Sequence, residues 1–154
     1  VELPGIDPGL YRLPELAANP ADAPVCVVEG EKKANVLWSL GLCAVSGPHG
    51  AAQWEHAWGR LFAGRKVVVV PDNNAPGLAH AGRVAGSLLL HGVGAVKALL
   101  PGEHWDVAAD ADIADWLGAI PPKEQRRELA ALFRRFPAYG ALAAPPASSV
   151  KGAA

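Results

Sequence analysis

The chain has no methionine, only two cysteines and no surplus of charge, and each shortage narrows what it can be. With 14 basic against 15 acidic residues the formal net charge is -1. That excludes the broad basic excess of a protein that coats nucleic acid nonspecifically, so any such contact must come from a local patch or a neighbouring domain. No apolar run approaches the roughly 20 residues of a membrane-spanning helix, and no signal-peptide pattern is present. These two absences lead us to expect a soluble, cytoplasmic chain with no membrane partner. Cys26 and Cys43 match no zinc-binding spacing. Both fall in apolar stretches and read as buried, reduced thiols, and a disulfide would require two strand ends to meet. The lack of methionine even at position 1 suggests a piece of a longer protein. The closing ALAAPPASSVKGAA has the Ala, Pro and Ser content of a linker.

What is present suits one globular domain: 154 residues, 51% hydrophobic and 19% charged. After a proline- and glycine-rich start with a short helical candidate over residues 13–18, VCVVE (25–29) is a brief β-branched run ending at an acid. EKKANVLWSLG follows as a helix with Ala34, Leu37 and Gly41 near one face and Gly41 as its stop. LCAVSG (42–47) is a second strand, GPHGAAQW a glycine-containing loop, WEHAWGRLF a helix and KVVVVP a strong third strand. A helix over about 76–91 places Leu78, Ala81, Val84, Ala85 and Leu88 at helical spacing. AVKALLP (95–101) is a fourth strand, and the acidic DVAADADIADWL leads into a last helix, KEQRRELAALFRRF. Strands alternate with helices and are continuously apolar, so we expect an α/β fold with a mainly parallel sheet of about four strands, helices on both faces. Right-handed crossovers gather the strand carboxyl ends along one edge, where such folds bind ligands.

That edge collects acids. Glu29 closes the first strand, Asp72 the third, and Asp110, Asp112 and Asp115 follow the fourth. A strand order of 2-1-3-4 would bring Glu29 and Asp72 together. Carboxylates beside a phosphate repel it unless a divalent cation mediates, and magnesium takes one or two carboxylates plus waters and substrate phosphate. Gly30, Gly47, Gly50 and Gly77 stand beside the acids and allow close approach of backbone amides to phosphate. Each acid taken singly also reads as a turn or capping residue, and Asp112 before IADWL as an N-cap.

VVEGEKKANVL, then VVVVPDNNAPG, then DADIADWL resemble, in that order, the three motifs of the Toprim domain, the module shared by bacterial-type primases, topoisomerases and some nucleases. The resemblance spans about 10–117 and is nearest to primase and primase-helicase proteins of phages and mobile elements. It implies a Rossmann-like Toprim fold at 23–137, with an N-terminal extension at 1–22 and a flexible linker or tail at 138–154. It further implies Mg2+- or Mn2+-dependent nucleotidyl transfer for primer synthesis. By the same resemblance, Glu29 is the proton-transfer residue, Asp72, Asn74 and Asp112 are metal ligands, and Gly30, Lys33, Gly50 and Gly77 contact phosphate or nucleotide. Lys33 also reads as a solvated helix residue, and His49 as either a phosphate contact or an exposed loop histidine. Implied partners are nucleotides and single-stranded DNA, with helicase and zinc-binding domains of the same or a partner chain.

The departure from the motif is Asn74, where the family usually carries aspartate. Asn keeps a carbonyl oxygen but loses the charge. One charge pair about 4 Å apart at an effective dielectric near 20 is worth about 4 kcal/mol, offset by water and neighbouring acids, so we expect a weakened metal site. Arg127 and Arg134, seven apart on the last helix, share a face that could touch a nucleic-acid backbone or be plainly solvated. Of the tryptophans, Trp38, Trp58, Trp105 and Trp116 read as packing residues, and Trp54, in the loop nearest the acids, as the one placed to stack on a base. Two other readings remain: a metal-dependent Toprim nuclease and a non-catalytic nucleotide- or nucleic-acid-binding module. Tyr11 and Tyr139 are not placed as a topoisomerase nucleophile, and no Gly-x-Gly-x-x-Gly follows the first strand.

Overall fold

A computed structural model describes residues 9–48 and 53–135. His49 and Gly50 of the glycine-rich loop, and the tail, lie outside the described residues. Four strands, β1 (Val25–Val28), β2 (Cys43–Ser46), β3 (Lys66–Val70) and β4 (Ala95–Ala98), form one sheet in the order β2-β1-β3-β4. Every pairing is parallel, with Val28 opposite Ser46 on one side and Val70 on the other. The ends of β1 and β3 are therefore level neighbours, which is what an acid following each of them requires in order to meet.

Helices α1 (Leu13–Ala18), α2 (Glu31–Ser39), α3 (Ala75–Leu90), α4 (Ile113–Gly118) and α5 (Pro122–Arg135) surround the sheet, with a 3-10 helix at His56–Phe62. Strand side chains alternate between two cores. Val25, Val27, Val67 and Val69 pack with Leu16, Trp58, Phe62, Val84 and Leu88 on one face. Cys26, Val28, Val68 and Val70 pack with Leu37, Ile113, Leu117, Leu129 and Leu132 on the other. Both faces being covered explains why the strands are unbroken apolar runs. It also separates the thiols: Cys26 lies in one core and Cys43 in the other, both free. Burial pushes both thiols up, which makes them inert.

Several details depart from the sequence expectations. The helix expected over WEHAWGRLF is shorter, a 3-10 helix at His56–Phe62 that leaves out Trp54 and Glu55, its first carbonyl, at His56, accepting a hydrogen bond from the Ser87 hydroxyl at 2.7 Å. Leu78 is 42% exposed, because the buried face of α3 runs through Gly77, His80, Ala81, Val84, Ser87 and Leu88. β4 stops at Ala98, although the Leu99 amide still donates to the Val69 carbonyl. Trp54 is committed to the core edge: its ring stands edge-on to Trp58 at 5.5 Å and also meets Phe62 and His80. No helix among the described residues is long and apolar enough to cross a membrane.

The turn after β3 is tied to the segment before α4. The Asn73 amide donates to the Ala111 carbonyl, the Asp110 amide returns a bond to the Asn73 carbonyl, and Asn73 Nδ2 donates to the carbonyls of Val107 and Ala108, each at 2.8–2.9 Å. Asp110 adopts a left-handed conformation (φ 59°) to close this loop, a geometry aspartate tolerates better than most residues. Replacing Asn73 by alanine strips two carbonyls of their side-chain donor. We expect Asn73→Ala to lower unfolding free energy by about 1–3 kcal/mol in urea titrations; an unchanged midpoint would show that the clamp contributes nothing.

Candidate functional site

Seven of the residues singled out in the sequence meet at the carboxyl edge of the sheet: Glu29, Gly30, Lys33, Asp72, Asn74, Gly77 and Asp112. Glu29 follows β1 directly, and its Oε1 accepts a hydrogen bond from the Asp72 amide at 3.2 Å. Gly77, in the first turn of α3, lies against both: a Cβ there would fall 2.5 Å from the Asp72 carbonyl oxygen and 2.8 Å from Glu29 Oε1. Only glycine allows that approach. Gly30 has φ +93° and no atom within 4 Å of where a Cβ would stand, so its backbone is strained for other residues and open to a ligand.

Lys33 is not a solvated helix residue. Its side chain lies across the front of β1 and β3, with Nζ 2.5 and 2.6 Å from the two Asp72 oxygens and 3.4 Å from Asp112 Oδ2. Asp112 serves two purposes at once. Its Oδ1 caps α4 by accepting from the amides of Ala114 and Asp115, and Asp115 completes the capping box from the other direction. Its Oδ2 faces the ammonium. Asn74 is the N-cap of α3, and its Oδ1 accepts the Gly77 amide at 2.8 Å.

Glu29 has a carboxyl held above its ordinary range. Burial is the largest cause; the hydrogen bond from the Asp72 amide opposes it, the Asp72 charge adds to it, and the charges of Lys33 and Arg83 subtract. A carboxyl raised in this way holds its proton to higher pH than an ordinary glutamate, the direction expected of a group that exchanges protons.

Among the described residues, no group of three or more His, Cys, Asp or Glu side chains is arranged to hold a metal ion. What does converge is the pair Asp72 and Asp112, both reaching one nitrogen. Two carboxylates directed at a single cationic point fit a magnesium-type ion, which asks the protein for no more than that and completes its shell with water and phosphate.

The arginines of α5 lie elsewhere. Arg127 pairs with Glu128 at 3.0 Å and Glu124 at 3.4 Å on the exposed helix surface. Arg134 lines a cavity of about 230 Å³ with Pro24, Lys66 and Ala95, the residues at the starts of β1, β3 and β4. It therefore stands at the amino edge of the sheet, across the molecule from the acids. Gly50 lies outside the described residues. Two contributors escaped the sequence reading. Asn73 looked like a second turn residue beside Asn74, yet it anchors the loop that carries Asp112. Arg83 sits within one helix of ordinary amphipathic pattern, and nothing local signals that its charge reaches Glu29.

The raised Glu29 carboxyl has a definite pH signature. Because the fold favours its protonated form, its contribution to stability is full below the ordinary glutamate range, near about pH 4, and is lost as pH rises through the raised value. Unfolding midpoints of the parent and Glu29→Gln in metal-free buffer should diverge from pH 4 to pH 7, the parent losing ground. A constant difference across that interval would contradict the assignment.

Comparison with known proteins places the chain only distantly. No family model matches it, and no curated protein matches it. Among solved structures it is similar to a chain in an assembly of bacteriophage T7 lagging-strand DNA polymerase with the primase domains of two gp4 subunits, bound to an RNA/DNA hybrid and dTTP. The identity is 16% and the TM-score 0.46, over 75% of this chain and 55% of that chain, so this chain spans about half the length of its counterpart.

Proposed function

We propose that this chain is a Toprim-type nucleotidyl-transfer domain of a DNA primase or primase-helicase, active with Mg2+ or Mn2+. The observation that carries the reading is the meeting of Glu29, Asp72 and Asp112 at one carboxyl edge, from three motifs that resemble the Toprim signature in the same chain order. Sequence resemblance alone names these residues; the β2-β1-β3-β4 order and the Asn73 clamp are what make the meeting physically sound.

In this reading Asp72 and Asp112 would hold the metal, and the chemistry it would supply is activation of the attacking 3′ hydroxyl and neutralisation of charge on the leaving pyrophosphate. Glu29 handles the proton, being close enough to the Asp72 backbone to stay oriented and desolvated enough to titrate usefully. The open backbone at Gly30, at the start of α2 with no side-chain cap, offers amides to a phosphate oxygen. Lys33 supplies a cation for the same phosphates. Asn74 contributes structure first, as the cap of α3, and only a neutral oxygen to the site. Template contact requires more surface than this edge provides, so single-stranded DNA is held with the help of helicase and zinc-binding domains. Arg127 and Arg134, if they meet nucleic acid, do so away from the acids.

A second reading, a nucleotide- or nucleic-acid-binding module without catalysis, is favoured by two observations: the Asn74 oxygen is spent on a cap, and Lys33 already pairs with Asp72 and Asp112.

Calorimetry with Mn2+ plus a non-hydrolysable nucleoside triphosphate separates these readings. We expect Asp72→Asn to abolish metal-dependent nucleotide binding. Asn74→Asp should tighten it by about tenfold, corresponding to about 1.4 kcal/mol, with the α3 cap preserved because aspartate caps as well as asparagine. Primer extension on single-stranded DNA, with the flanking domains supplied, should then follow the same ranking. Binding that survives Asp72→Asn unchanged would overturn the site; binding without extension or cleavage would favour the module.

A further inference from the structure

We propose that Lys33 is a built-in counter-ion for the acidic edge, which a divalent cation must displace, so that the site admits a metal–polyphosphate complex in preference to the bare metal. The inference rests on the metal-assisted reading above and goes beyond it by assigning what controls entry.

The geometry leaves little room for another arrangement. Lys33 lies in the first turn of α2 and is only 9% exposed, an unusual position for a lysine unless its charge is matched. Both Asp72 oxygens and Asp112 Oδ2 are directed at its ammonium, while Asp112 Oδ1 is committed to the α4 cap. Asn74 cannot take over, since its Oδ1 receives the Gly77 amide. The oxygens that a hard cation would coordinate are therefore the same ones that neutralise Lys33. Two cations cannot both be served by them: a metal ion placed there would sit within a few ångströms of the ammonium and compete with it for the same carboxylate oxygens.

Bare metal thus competes with an intramolecular cation at high effective concentration. A metal ion that arrives with a polyphosphate brings a further anion with it. The lysine side chain has four flexible carbons and a compact charge, so it can rotate off Asp72 and meet the phosphate oxygens. Metal and phosphate then assist each other's binding, and by linkage the assistance is reciprocal.

The test uses manganese chloride alone and a preformed manganese–tripolyphosphate complex, titrated calorimetrically into the parent, Lys33→Met and Lys33→Gln. Bare manganese should bind both variants at least tenfold more tightly than the parent, whereas the preformed complex should bind the parent more tightly than either variant. The melting temperature should report the same exchange: the variants, left with two facing carboxylates, should melt lower without manganese and gain more from it than the parent. Lys33→Gln keeps a hydrogen-bond donor and guards against Lys33→Met failing to fold. Equal affinity of parent and variants for bare manganese would overturn the counter-ion role while leaving the metal site standing. If no protein binds manganese in either form, the metal-assisted reading falls and the inference with it.

Discussion

The arrangement at the carboxyl edge depends on a single ammonium group between two carboxylates. A parallel sheet delivers Glu29 and Asp72 to adjacent strand ends, and the Asn73 clamp draws Asp112 in beside them, so the topology concentrates like charge. Unmatched, carboxylates in such proximity resist ionisation or push apart. Lys33 pairs with both Asp72 and Asp112, while burial, with a smaller contribution from the Asp72 charge, holds the Glu29 carboxyl above its ordinary range. In the function proposed above, the two acids paired with the ammonium would be the ones to take a metal ion, and the acid in the drier position the one to move a proton.

Much of the fold was legible in the sequence because it rests on local pattern. Unbroken runs such as VVVV demand a sheet covered on both faces. The order 2-1-3-4 is one that lets the acids at the ends of β1 and β3 meet, but the positions of the outer strands come from the structure. The capping role of Asp112 was legible too, because an acid directly before IADWL is an N-cap by local pattern. What was hidden depends on distance in the chain. Lys33 and Asp72 are 39 residues apart, and the run EKK reads as solvated unless the acid facing it is known. Leu78 has the right spacing for a buried face, but Gly77 and His80 hold α3 rotated so that Leu78 looks outward. Arg134 shares a helix face with Arg127 by spacing alone. The helix direction, invisible in sequence, carries it to the amino edge, away from the acids.

Asn74 links structure to function most economically. As the cap of α3 it fixes the helix start that brings Gly77 against Glu29, and asparagine performs that task as well as aspartate. What it gives up is charge, at a site where Lys33 already supplies a cation. A neutral residue at position 74 and a lysine at 33 are therefore mutually consistent: with fewer acids at the edge, less cationic charge is needed to match them.

The most direct measurement is an anomalous-scattering map from crystals grown with manganese and a non-hydrolysable nucleoside triphosphate. The account predicts a manganese peak coordinated by Asp72 and Asp112, with the Lys33 ammonium moved onto phosphate. Nucleotide bound at this edge with Lys33 still seated between the two carboxylates, and no manganese beside them, would contradict it.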